Sequence, residues 1–141
     1  MKKIIVIFIF LGFIISANHV LAAFPNDLPG PKINPDSKLY FLKVWWEKIV
    51  LAFTFNPVKK AEAYKAFAEK RAVEAQEMIA QGKPIIAEKL NAVYKDYLNR
   101  AKDLLNKEIQ KAIDKGKETL KQQLQKMVDD VMNRIKEGIK I

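Results

Sequence analysis

NPVKKAEAYKAFAEKRAVEAQEMIAQGKP, residues 56–84, is the stretch on which the architecture turns. Asn56-Pro57 opens it. An asparagine oxygen can accept from the free N–H groups of a first helical turn, and proline fits the first helical position because its missing N–H would have no partner there. From Val58 to Gln81 nothing breaks a helix. Ala61, Tyr64, Ala68, Ala72, Ala75 and Ile79 recur at three- and four-residue steps, a seam slim enough for a second helix to approach closely. Gly82 supplies a left-handed stop, and Pro84 restarts a helix after Gly82-Lys83 alone. So short a link predicts an antiparallel helical hairpin.

Beyond Pro84, Ile86, Leu90, Val93, Tyr97, Ala101 and Leu104 keep coiled-coil-like spacing. From Ile109 the period lengthens. Ile109, Leu120 and Val131 are eleven residues apart, as are Ile113, Leu124 and Ile135, and Gly116, Met127 and Gly138. Eleven residues over three turns keep a stripe nearly straight. With no proline after Pro84, the pattern predicts one long helix to about Gly138, some 55 residues or roughly 80 Å, with Gly116 as its natural bend. Helix two, at about 25 residues, is too short to cover the far stripe. Ile109, Ile113, Leu120, Leu124, Met127, Val131 and Ile135 are therefore the candidate interaction site, for a protein partner or for self-association.

Ahead of the hairpin, Asp36 or Ser37 can cap a helix over Lys38–Phe53. At 100° per residue its apolar side holds Phe41, Trp45, Ala52, Ile49, Leu42, Phe53 and Trp46, with Leu39 and Val50 at the edges. Lys43, Glu47 and Thr54 lie opposite. Tyr40, Phe41, Trp45, Trp46, Phe53 and Phe55 admit two readings: rings stacking on the sugars of a wall polymer, or a core between this helix and the hairpin. Helical spacing of so many large apolar residues favours the core.

The N-terminus reads as an export signal. Lys2 and Lys3 precede an apolar run from Ile4 to Ile15 interrupted only by Gly12, and Val20-Leu21-Ala22 places small residues where a signal peptidase inspects them. Cleavage after Ala22 leaves 119 residues. Left uncut, Ile4 to Phe24 is long enough to act as a signal anchor. In both cases the domain lies outside the cytoplasm, periplasmic, at the cell surface or secreted. Phe24 to Asp36, with Pro25, Pro29, Gly30, Pro31 and Pro35, reads as an extended linker.

Without Lys2 and Lys3, the excess of 25 basic over 16 acidic residues falls from +9 to +7. That sign suits anionic partners such as lipid head groups or acidic wall polymers. Nucleic acid is not expected as a partner of an exported chain. There is no cysteine, and the single histidine is His19. The chain beyond Ala22 thus lacks a Ser-His or Cys-His pair to activate a nucleophile. It also lacks the Glu-x-x-His pairs of a carboxylate di-iron bundle, and the glycines are too isolated for a phosphate loop. No cofactor and no metal site are expected. Glu62 and Glu69 share a helix face, but Lys59, Lys65 and Lys70 surround them, the ordinary pattern of a solvated face rather than of a catalytic carboxylate pair.

Pro35-Asp-Ser-Lys-Leu-Tyr-Phe-Leu-Lys43, Trp46-Glu47-Lys48, Phe53-Thr-Phe-Asn-Pro57, Lys60-Ala-Glu62, Ala68-Glu-Lys-Arg71 and Glu74-Ala75 form a recognisable series. It resembles a domain of unknown function of exported or membrane-anchored bacterial and archaeal proteins, with the approximate pattern PDSPLYFLKRxxE…LxLTFDPxxKAE…AxxRLxEA. The resemblance spans about Pro35 to Leu105 and implies an extracytoplasmic helical module with no assigned activity. Lys38 stands where that pattern has proline, Val44 where it has arginine and Asn56 where it has aspartate. Tyr40, Lys43, Glu47, Thr54, Lys60, Glu62, Arg71 and Glu74 are its matching polar positions, and the resemblance implies that they fix helix crossings.

The sequence therefore predicts an all-α protein: a signal peptide over 1–22, a Pro-rich linker over 23–36, a helical domain over 37–106 and an amphipathic C-terminal arm over 107–141. A short aromatic helix packs on an antiparallel helical hairpin with a long extended C-terminal helix. The expected role is a non-enzymatic, exported interaction or structural module. The alternative is a basic amphipathic binder of an anionic membrane or cell-wall surface.

Overall fold

A computed structural model describes residues 33–139 of the chain. The signal peptide and most of the linker expected from the sequence lie outside the described residues. The described residues are all-α, with four helices and no strand: α1 (Tyr40–Phe53), α2 (Pro57–Ala80), α3 (Pro84–Asp114) and α4 (Glu118–Glu137). None of these helices is long and apolar enough to cross a membrane.

Local chemistry sets the boundaries. Asn56 Oδ1 accepts from the Lys59 N–H at 3.0 Å, and Pro57 follows at the first helical position. At the far end of α2, Gly82 adopts a φ of +70°, and the Lys83 N–H reaches back to the Met78 carbonyl at 2.8 Å. That closing pattern satisfies the last carbonyls of a helix and needs a left-handed residue, which glycine adopts without a Cβ clash. It recurs at Gly116, where φ is +62° and the Lys117 N–H reaches the Ala112 carbonyl at 2.8 Å.

The long continuous helix expected from Pro84 to about Gly138 is thus interrupted. At Gly116 the chain does not bend gently but reverses. Tyr94 on α3 donates its hydroxyl to the Arg134 carbonyl on α4 at 3.0 Å, so α4 returns along α3. Lys65 and Glu69 on α2 meet Asp130 and Arg134 on α4 at 2.5 Å and 2.8 Å. Equal four-residue steps on both helices show that α2 and α4 run parallel, side by side, across α3. The physical reason is burial: reversal covers the apolar stripe of α4, which an extended helix would leave in water.

The core lies mainly between α2 and α3 and continues under α4. Ala61, Ala68, Ala75 and Met78 meet Leu98, Ala101 and Leu105, all nearly free of solvent. The alanines keep the helices close, and Tyr97 packs between Tyr64 and Phe67, with ring centroids 5.6 Å and 6.4 Å away. Leu124, Val128 and Val131 extend this core from α4.

Candidate functional site

α1 is attached to the bundle by its polar side. Tyr40, Lys43, Glu47, Leu51 and Thr54 follow three- and four-residue steps, so they share one face. Glu47 and Thr54 on that face are buried, at 3% and 4% exposure. Opposite them on α2, Arg71 and Glu74 are buried as well. Arg71 Nη2 donates to Glu47 Oε1 at 2.9 Å, and Arg71 Nε pairs with Glu74 Oε2 at 2.9 Å. The Tyr40 hydroxyl donates to Glu74 Oε2 at 2.6 Å, and the Lys43 ammonium pairs with Glu74 Oε1. The Arg71 guanidinium also lies 5.4 Å from the centre of the Tyr40 ring, a cation–π contact. Two carboxylates and two cations therefore balance within one buried cluster. Near the start of α1, Asp36 pairs with Lys83 in the α2–α3 turn.

This arrangement reverses the expected orientation of α1. Lys43, Glu47 and Thr54, which the helix wheel places opposite the apolar arc, face the bundle. Phe41, Trp45, Trp46, Phe53 and Phe55, expected in a core, are 55–83% exposed. Of the aromatic cluster, only Tyr40 is drawn into the interface. A helix wheel accounts for both faces at once: Phe41, Trp45, Ile49, Leu42, Phe53 and Trp46 occupy the arc opposite Glu47. Charge complementarity favours this inner face: Glu47 gives the buried Arg71 a second carboxylate, and Tyr40 and Lys43 partner Glu74, which an apolar face could not do. Burying one large apolar side chain is worth about 1.5–3 kcal/mol, and folding leaves much of that unrealised along α1.

The seven candidate interaction residues divide into three groups. Leu124 and Val131 are buried, each at 2% exposure. Ile109, Met127 and Ile135 pack against the core and are partly covered. Only Ile113 and Leu120, flanking the turn at Gly116, are exposed. The stripe does not form a continuous open surface, because α4 folds back and buries it. What remains there is a groove of about 500 Å³ between α2 and α4, with Leu105, Met127 and Val131 among apolar lining and Glu62, Lys65, Glu69 and Asp130 on its sides.

Electrostatics distinguish the two regions. In the groove, the Lys65 ammonium holds the Asp130 carboxyl below its usual range, and Glu69 is paired with Arg134. In the α1–α2 cluster, burial pushes Glu47 up, against the opposing pull of Arg71. Glu47 Oε2 accepts no hydrogen bond, which adds to the cost of keeping it ionised. Burial, then donation to Glu74, pushes the Tyr40 phenol far above its ordinary value, so it stays a neutral donor. Glu47 lines neither this groove nor the open depression beside α1, and its raised affinity for a proton is turned inward. No group of three or more His, Cys, Asp or Glu side chains among the described residues could hold a metal ion.

Sequence reasoning did not assemble the Tyr40–Lys43–Glu47–Arg71–Glu74 cluster. Its signal was there, as polar residues at core spacing: 40, 43 and 47 on one helix, 71 and 74 on the next. All five are among the matching polar positions of the resemblance, together with Thr54, whose hydroxyl donates to the Val50 carbonyl at 2.7 Å.

The fold and this inner cluster define an all-helical module in which a short helix is clamped to a bundle through charge. A family model, the domain of unknown function DUF5667, matches residues 32–137, about three quarters of the 141. The chain belongs to that family. The match runs through α4 and takes in both the α1–α2 cluster and the reversal at Gly116. Comparison with curated proteins and with solved structures found no match.

Proposed function

We propose that the chain is an exported, non-enzymatic interaction module, with α2, α3 and α4 as its scaffold and α1 as its docking element. In this reading a short aromatic helix is carried on a helical hairpin, with its apolar side held outward for a partner surface. Export is supported by Lys2-Lys3, the apolar run from Ile4 and the small residues Val20 and Ala22. The observation that carries the reading is the orientation of α1: a buried charge cluster holds it from behind, while Trp45, Trp46, Phe41 and Phe53 are more than half exposed. A contiguous apolar patch on an otherwise charged surface usually marks an interaction site. Interaction through the stripe beyond Ile109 loses support, because Leu124 and Val131 are buried.

Cell fractionation tests this. The wild-type chain should be retained with the envelope, with a mature N-terminus at Ala23. A Phe41→Ser, Trp45→Ser double variant should be exported and folded but released into the soluble fraction. Identical fractionation of the two proteins would contradict α1 as the docking element, and Met1 retained on the exported protein would replace cleavage by a signal anchor.

A further inference from the structure

The exposed side of α1 has the chemistry of a bilayer interface, and we propose that its partner is the surface of an anionic lipid membrane, on which α1 lies parallel to the plane. This rests on the reading of α1 as the docking element and names what it docks on. Three observations converge. The first is shape. Phe41, Leu42, Trp45, Trp46 and Phe53 stand exposed along one side of the helix as an apolar ridge, bordered near its start by an open, lysine-lined depression. A bilayer accepts an apolar ridge without needing a complementary pocket.

The second is charge. Between Ser37 and Phe55 the only acidic residue is Glu47, and it is buried against Arg71. Lys38 and Lys48 remain exposed beside the ridge, and the neighbouring Asp36 is paired with Lys83, so the free charge along its margin is cationic. A surface for a second copy of this chain would bring like charges together, whereas anionic head groups complement them.

The third is the side chains' placement. An open depression of about 550 Å³ lies between the Pro35–Lys38 turn and the first half of α1. Lys38, Ser37 and Lys48 line it together with Phe41 and Trp45. Lysines and aromatic rings sharing one open depression suit a bilayer interface, where ammonium groups reach phosphates, apolar rings enter the acyl region and tryptophan is enriched.

Vesicle binding tests the proposal. The chain from Ala23 contains the whole described bundle with its own core, and its only tryptophans are Trp45 and Trp46. It should bind vesicles containing phosphatidylglycerol, with a blue shift in tryptophan emission, and bind phosphatidylcholine vesicles much more weakly. Lys38→Gln with Lys48→Gln should weaken binding about 30-fold, at roughly fivefold per lysine near an anionic surface. Phe41→Ser with Trp45→Ser should abolish it, with unchanged circular dichroism. Added salt should weaken the interaction and leave a residual from apolar insertion. Two results would overturn the proposal, and they separate it from the reading beneath it. If the wild type ignores both vesicles but forms dimers that the Phe41→Ser, Trp45→Ser variant loses, the lipid partner is wrong and α1 remains a docking element for a second copy. If vesicle binding survives that double variant intact, both the lipid partner of α1 and its role as docking element are wrong.

Discussion

Arg71 Nη2 lies 2.9 Å from Glu47 Oε1, and the two side chains retain only 1% and 4% of their exposure to water. This pair joins α1 to α2 and decides which side of α1 faces out. A buried ion pair contributes little net stability relative to a packed apolar pair, but removing one partner strands the other. Arg71→Met should therefore cost about 3–5 kcal/mol, because it leaves Glu47 and Glu74 as adjacent buried carboxylates. Adding Glu47→Gln to that variant should restore part of the loss, since Glu74 keeps Tyr40 and Lys43. Chemical denaturation of the two single variants and the double gives the coupling, and strict additivity would mean that the pair is not coupled.

The same pair makes a specific pH signature. Burial raises the Glu47 pKa in the folded state above its ordinary value of 4.5. Above 4.5, and up to that raised value, the folded protein binds more protons at this site than the unfolded chain. Stability contributed by Glu47 therefore falls as pH rises through the window. Glu47→Gln removes the titration, so its stability relative to wild type should improve as pH increases from about 4.5. Asp130 acts in the opposite sense: its lowered pKa contributes stability above 3.8 that is lost on further acidification. Unfolding midpoints of wild type and Glu47→Gln across this range should diverge in that direction, and parallel curves would place Glu47 in water.

Trp46→Ala should be cheap for a tryptophan, about 1 kcal/mol or less, because 55% of the residue is exposed. Leu124→Ala should cost about 2–5 kcal/mol, since Leu124 is 2% exposed on the inner face of α4. The ranking inverts what residue size alone would suggest. Thermal melts of the two variants check it, and a larger loss for Trp46→Ala would return the aromatic helix to the core.

Gly116→Ala should cost about 1–2 kcal/mol through the left-handed backbone, with no added clash, since nothing lies within 4 Å of the position a Cβ would take. The same substitution at Gly82 should cost a similar amount, because that site is equally open. Melting temperatures of both variants measure this. A neutral Gly116→Ala would mean that α3 and α4 can continue through the turn.

The all-helical class and the first reversal were legible because their signals are local. Asn56-Pro57 and Gly82-Lys83-Pro84 specify caps through backbone geometry that no distant contact needs to supply. The second reversal carried nearly the same local signal: Ile79-Ala-Gln-Gly82-Lys83 and Ile113-Asp-Lys-Gly116-Lys117 share isoleucine, glycine and lysine at equal spacing. The eleven-residue period running across Gly116 concealed it, since that stripe would be continuous on a straight helix and is equally buried on a folded one. The orientation of α1 was not legible from its own pattern. Its apolar arc is the stronger feature by hydrophobicity, yet the deciding partners, Arg71 and Glu74, lie on another helix more than twenty residues away. Only reading Tyr40, Lys43 and Glu47 together with Arg71 and Glu74, as polar residues at packing intervals, would have turned the helix around.

The orientation of α1 is the central claim, and the chain reports on it directly because its only two tryptophans, Trp45 and Trp46, are adjacent on the outward face. The measurement is tryptophan emission and acrylamide quenching of the folded chain from Ala23 at low concentration, without lipid, compared with the same chain in denaturant. Both tryptophans should emit as solvent-exposed indoles and be quenched almost as readily folded as unfolded. A blue-shifted emission with strong protection from quenching in the monomer would contradict the account, placing the aromatic face of α1 in the core and its charged face in water.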